Sequence, residues 1–233
     1  MANSDSVSLK LDDFDADGAV RETFERLPQH TRSGFIRRTV AAGAAAVGAV
    51  AAWPALALAE SSSDTTILNF ALALEYLQAS FYTEAEQVGA LRGALAHQAQ
   101  VVGTHERAHV KAFKQLLGPA AIKQPAFNFH GVTESPDAFR RTAVAFEDLA
   151  TAAYKGQAPL IKSRSYLAGA LAIHSVEARH AAWIRRLAGF LPAAQAFDEP
   201  LNAAKVVQIV NSTHFVTLKV PHTSMETNPR FIG

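Results

Sequence analysis

A chain of 233 residues, 49% of them apolar, is long enough to bury a full core, and a formal net charge of +1 gives no footing for a nucleic-acid groove or an acidic substrate. Cysteine is absent, which excludes disulfides, thiolate metal sites, cysteine-ligated iron–sulfur clusters and a cysteine nucleophile.

Residues 1–36 are polar and mixed in charge, with Asp12, Asp13, Asp15 and Asp17 close together and no sustained apolar period; they read as a disordered leader. Arg37 and Arg38 follow. Then comes an uncharged Ala-, Val- and Gly-rich run, Thr39 to Ala59, ending Ala57-Leu58-Ala59. A basic pair, a mildly apolar stretch and a small-x-small ending make a signal peptide over 37–59, cleaved near Ala59. The segment resembles a twin-arginine export signal, which carries folded proteins across a bacterial inner membrane, although Val40 and Ala41 depart from the stronger apolar pair usual after the arginines. The competing reading is a retained membrane anchor, which Pro54 and the glycines disfavour. The expected mature protein is therefore exported, periplasmic or extracellular, with no stable membrane anchor.

The helical period begins after the cap candidates Ser61 to Asp64 and predicts a first helix from Thr65 to about Leu91, its stripe reading Leu68, Leu72, Glu75, Ala79, Tyr82. Gly93 punctuates. A second helix runs to about Leu117 with Val102, Glu106, His109, Phe113 and Leu116 on one face, and Gly118-Pro119 ends it. Residues 118–135 lack a period and read as a long crossover. Ser135-Pro136-Asp137 opens a third helix, with the stripe Ala143, Glu147, Ala150, Tyr154, broken by Gly156 and Pro159. The fourth extends to about Ala188 along Ala170, Ile173, Glu177, His180, Ile184 and Leu187. Asp198-Glu199-Pro200 starts a short fifth helix to about Val210. The expected architecture is all-α: a four-helix bundle over 60–197 with one long crossover, then a short fifth helix and tail over 198–233.

Four of these stripes carry residues that do not belong in a core. Glu106-Arg107-Ala108-His109 and Glu177-Ala178-Arg179-His180 are two Glu-x-x-His tetrads, and three-residue spacing puts each carboxylate and imidazole on one helix face. Each tetrad is preceded about thirty residues earlier by a stripe glutamate, Glu75 and Glu147. Four buried carboxylates without partners would cost at least several kcal/mol each. Two divalent cations would neutralise them, and an oxygen-rich set with one imidazole per ion suits iron or manganese better than copper or calcium. The competing reading turns one or more glutamates outward to pair with Arg107, Arg140 or Arg179. His105 reads as an ordinary polar neighbour. His174, three residues before Glu177, reads either as support for the ligands or as a hydrogen-bonded core histidine. Tyr82 and Tyr154 pack in the core and share stripes with ligands to which they could hydrogen-bond.

The pattern matches the di-iron and di-manganese carboxylate bundles, in which Glu106 and Glu177 would bridge two ions, His109 and His180 would each cap one, and Glu75 and Glu147 would be terminal. Residues 64–210 resemble the ferritin-like superfamily. Leu68 to Leu77, Ala153-Tyr154-Lys155-Gly156 and Val176 to His180 resemble the branch holding plant desiccation-related proteins and exported bacterial ferritin-like proteins. The resemblance implies a ferritin-like four-helix bundle with two metal ions, iron or manganese. The expected activity is oxidation of iron(II) by dioxygen or peroxide, or removal of peroxide, with no nucleic-acid partner and an oligomer left open. A second class of function stands beside it: a stress-related binding or structural protein in which any metal stabilises the fold.

Overall fold

The structure, a computed structural model, describes residues 62–221; the expected leader, the signal segment and the end of the tail lie outside the described residues. Five α-helices and two short 3-10 turns make up the regular structure there, with no strand among the described residues. No helix among these residues is long and apolar enough to cross a membrane.

Helix α1 spans Ser62–Val88 and α2 spans Gly93–Leu117. The first helix stops three residues short of the predicted Leu91, because Gly89 takes φ 64° and folds its N–H back onto the Ala85 carbonyl at 3.1 Å. Leu91 is instead a buried residue of the turn. Gly118 ends α2 with φ 51°, its N–H bonded to Lys114 O, and a 3-10 turn carries Pro119.

The crossover then climbs back along α1. Asn69 holds the Ala120 carbonyl (2.9 Å) and the Ile122 N–H (2.8 Å), Gln124 donates to Ser80 Oγ at 3.0 Å, and Thr133 donates to Glu84 Oε1 at 2.7 Å. This ladder along one face of α1 returns the chain to the end from which α2 started. Helix α3, Pro136–Gln157, therefore runs antiparallel to α1, with Ser135 capping Ala138 N–H and proline in the first turn as expected. Helix α4, Arg164–Leu187, is capped by Ser163 and packs against α3 as α2 packs against α1. The two hairpins meet through α1 with α3 and α2 with α4.

Two further boundaries depart from expectation. Gly156 does not break α3 but lies inside it, and the break comes at the 3-10 turn Ala158–Leu160 with Pro159. The glycine serves packing: a Cβ there would stand 1.9 Å from the Leu201 carbonyl oxygen, where the segment before α5 passes and Leu201 N–H bonds Ala152 O at 3.0 Å. Gly156→Ala is expected to cost about 1–3 kcal/mol by overpacking, since backbone has to move; a thermal melt identical to wild type would show that the segment withdraws freely. Helix α5, Ala203–Ser212, begins five residues after the predicted Asp198, because residues before it are tied to α3 and Asn202 is the residue that caps Lys205 N–H.

The apolar interior forms two clusters. One gathers Phe81, Tyr82, Phe129, Phe139, Phe146 and the inner face of α5, with Phe81 and Phe139 stacked at 4.9 Å; the other gathers Leu68, Leu72, Tyr76, Phe113, Tyr154, Tyr166 and Ile173. On α2 and α4 these clusters are interrupted by the tetrads, where Glu106, Glu177 and His180 are buried. Fully burying one such aromatic stabilises by about 1.5–3 kcal/mol, and the many on either side offset the polar layer between them.

Candidate metal centre

All six residues singled out on the stripes converge in that polar layer. Glu75 comes from α1, Glu106 and His109 from α2, Glu147 from α3, and Glu177 and His180 from α4; each glutamate is at most 1% exposed. His109 Nδ1 lies 3.1 Å from Glu75 Oε2, 3.3 Å from Glu177 Oε1 and 3.6 Å from Glu106 Oε2. His180 Nδ1 lies 3.1 Å from Glu106 Oε1, 3.5 Å from Glu147 Oε2 and 3.8 Å from Glu177 Oε1. Each imidazole thus faces three carboxylates, and Glu106 and Glu177 serve both. None of the four glutamates pairs with an arginine among the described residues. Arg107 takes Glu86 at 3.1 Å and Arg140 takes Asp137, so the outward reading does not hold.

The His109 Nδ1–Glu75 Oε2 contact is a hydrogen bond, but most of this proximity is not. Both carboxylate oxygens of Glu106, Glu147 Oε2, Glu177 Oε1 and His180 Nδ1 are buried yet make no hydrogen bond. Orphaned buried polar atoms cost about 1–3 kcal/mol each, so a cluster of five is not a structural arrangement in its own right. The donor atoms form two overlapping groups, Glu75–Glu106–His109–Glu177 and Glu106–Glu147–Glu177–His180, with ligand atoms within 4.8 Å of one another in each. Carboxylates and imidazoles aimed inward at a common volume fit hard or borderline divalent cations.

The electrostatics describe the same strain. Burial, and then the Glu106 charge, hold Glu177 well above the usual carboxylate range. Burial pushes Glu75 up to about 7 against the pull of His109. Burial also acts to raise Glu106, but the imidazoles of His109 and His180 outweigh it and draw that carboxyl down. Burial alone would lower both imidazoles; the carboxylates reverse this, lifting His180 to about 10 and His109 well above its ordinary value. Glu75, Glu177, His109 and His180 are thus all shifted toward their protonated forms.

Two tyrosines brace the layer from opposite sides. Tyr82 of α1 donates to Glu147 Oε1 at 2.5 Å, and Tyr154 of α3 donates to Glu75 Oε1. Each tyrosine lies seven residues after its own helix's glutamate and bonds the glutamate of the other hairpin. Burial and the neighbouring carboxylates hold both phenols well above their ordinary value, so both stay protonated donors. Of the two readings of these residues, packing and hydrogen bonding, the structure shows both at once.

His174 is not with the ligands. Its imidazole, half-buried, feels Asp198 and Lys155, and its Nε2 is buried with no hydrogen bond, so neither earlier reading of it holds. The phase of α4 turns a residue three before Glu177 away from the centre and toward the segment preceding α5. The reverse correction applies to His105: its Nδ1 lies 2.9 Å from His180 Nε2, making it a direct neighbour of a centre residue. Its four-residue spacing from His109 was the available signal. Gln78, unremarked in the sequence, reaches Glu177 Oε2 at 3.5 Å; it sits three residues after Glu75 on the same face.

Two helical hairpins joined by a crossover, with a carboxylate–imidazole layer fed by all four helices, define a carboxylate-bundle protein. A family profile described as ferritin-like domain matches residues 63–189, and the chain belongs to that family. No curated protein matches the chain.

Proposed function

We propose that this protein binds two iron or manganese ions between its helices and uses them to oxidise iron(II) or to remove peroxide. The observation that carries this reading is the overlap of the two ligand groups in Glu106 and Glu177. A single ion would leave one imidazole and one terminal glutamate unused, whereas two ions bring four positive charges to four carboxylates. When bound, such a pair supplies two one-electron steps to one O–O bond.

The chain's own residues do the rest. Glu106 and Glu177 hold the two positions together; Glu75 with His109 completes one, and Glu147 with His180 the other. Tyr154 and Tyr82 fix the terminal glutamates by hydrogen bonds that tie one hairpin to the other. The aromatic clusters above and below keep bulk water from the layer. His109, 13% exposed, is the centre residue most open to solvent.

The test is reconstitution of the purified full-length chain with iron(II) or manganese(II), elemental analysis, and assays of iron(II) oxidation and peroxide loss. The expected result is two ions per chain and turnover in one assay. A chain that retains neither metal overturns the reading; two retained ions with no turnover in either assay leave only a structural metal.

A further inference from the structure

The two halves of the centre match in ligand type but not in what stands behind the ligands. Glu106 corresponds to Glu177 and His109 to His180, a constant offset of 71 positions by subtraction in the sequence, and on that register His105 corresponds to Val176. The α2–α4 seam is therefore asymmetric in composition at one position that touches the centre.

The geometry shows the consequence. His180 uses both ring nitrogens: Nδ1 points at Glu106 and Glu147, and Nε2 lies 2.9 Å from His105 Nδ1, the two rings nearly parallel at 16°. His109 points its Nδ1 inward in the same way, but its Nε2 has no hydrogen-bonding partner among the described residues, and a valine at 176 offers none. His109 is 13% exposed and His180 only 4%.

A neutral imidazole carries one N–H, and the nitrogen that ligates a metal must be the one without it. A hydrogen bond from Nε2–H to His105 Nδ1 places the proton of His180 on the outer nitrogen and leaves Nδ1 bare toward the carboxylates. It also holds the ring against rotation. Outer partners of this kind are worth about 10–100-fold in metal affinity.

We propose that His105 is a positioning residue that fixes the tautomer and orientation of His180, making the Glu147–His180 position the tighter of the two metal positions and the Glu75–His109 position the exchangeable one. This rests on the two-metal reading above.

Cobalt(II) is the probe, titrated into the full-length chain and followed by its visible absorption and by calorimetry. Wild type is expected to fill in two steps of different affinity, and Glu147→Gln to remove the tighter one. His105→Phe, which keeps the ring but not the nitrogen, should weaken the tighter step roughly 10–100-fold and bring the two steps together. His105→Asn, whose amide oxygen can accept the same N–H, should restore most of the loss, and Val176→His should strengthen the weaker step. His105 is exposed, so metal-free circular dichroism spectra should stay the same across the His105 variants, which separates positioning from damage to the fold. Two equal steps in wild type, or a tighter step untouched by His105→Phe, would overturn the proposal while leaving the two-metal reading standing. A wild-type chain that takes up no cobalt(II) would overturn the reading itself, and the proposal with it.

Discussion

Glu177→Gln is expected to abolish the thermal stabilisation that divalent metal confers, while leaving the metal-free chain at least as stable as wild type. The two halves of that expectation come from one fact: Glu177 is fully buried and shared by both ligand groups. Without metal its carboxyl is pushed toward the protonated form by burial and by Glu106. A glutamine has nearly the shape and charge of that protonated acid, so the metal-free core has little to lose. With metal, the shared carboxylate is missing from both positions at once. An ion present at a hundredfold excess over its Kd stabilises by about 2.7 kcal/mol, so two ions give roughly 5 kcal/mol. For a chain of this size that corresponds to roughly 10–20 °C in Tm. Melts of both variants, with and without manganese(II), read the difference directly. If the glutamine variant kept the full metal-dependent rise, Glu177 would not be a shared ligand.

The second large effect is one of pH, and it has opposite signs with and without metal. Glu75, raised from 4.5 to about 7, and His180, raised from 6.5 to about 10, both bind protons more tightly in the folded chain than in the unfolded one. A raised group contributes stability that is complete below its unfolded value and lost as pH climbs through its folded value. The metal-free protein should therefore lose stability steadily between about pH 4.5 and pH 10, first through Glu75 and then through His180. Metal must displace those same protons, so its affinity rises over the same interval and each binding event releases protons. Melting temperature against pH should fall for the metal-free chain and rise, or hold level, under saturating metal. Parallel curves would mean that the ions bind somewhere other than this layer.

Much of this architecture was legible in the sequence because helix period and burial are local. An apolar stripe at 3.6-residue spacing places α1 to α4 within a few residues, and the same stripes carry the six centre residues inward. What escaped was decided by neighbours distant in sequence. Gly156 looks like a breaker until Leu201 is known to pass over it, and the start of α5 depends on a bond from Leu201 to Ala152. The helix period around His105 and His174 says nothing of what packs against either. Whether either meets the centre depends on the α2–α4 packing in one case and on the segment before α5 in the other.

Asp64 shows a further constraint. Its buried carboxylate accepts the N–H groups of Lys162 and Ser163 at 3.0 and 2.9 Å, so a residue in the first turn of α1 closes the turn that launches α4. The bundle is thus latched at one end by its own beginning. A chain trimmed before Asp64 keeps the latch whole, and one trimmed beyond it leaves the Lys162 and Ser163 amides without their carboxylate at the root of the helix that carries Glu177 and His180.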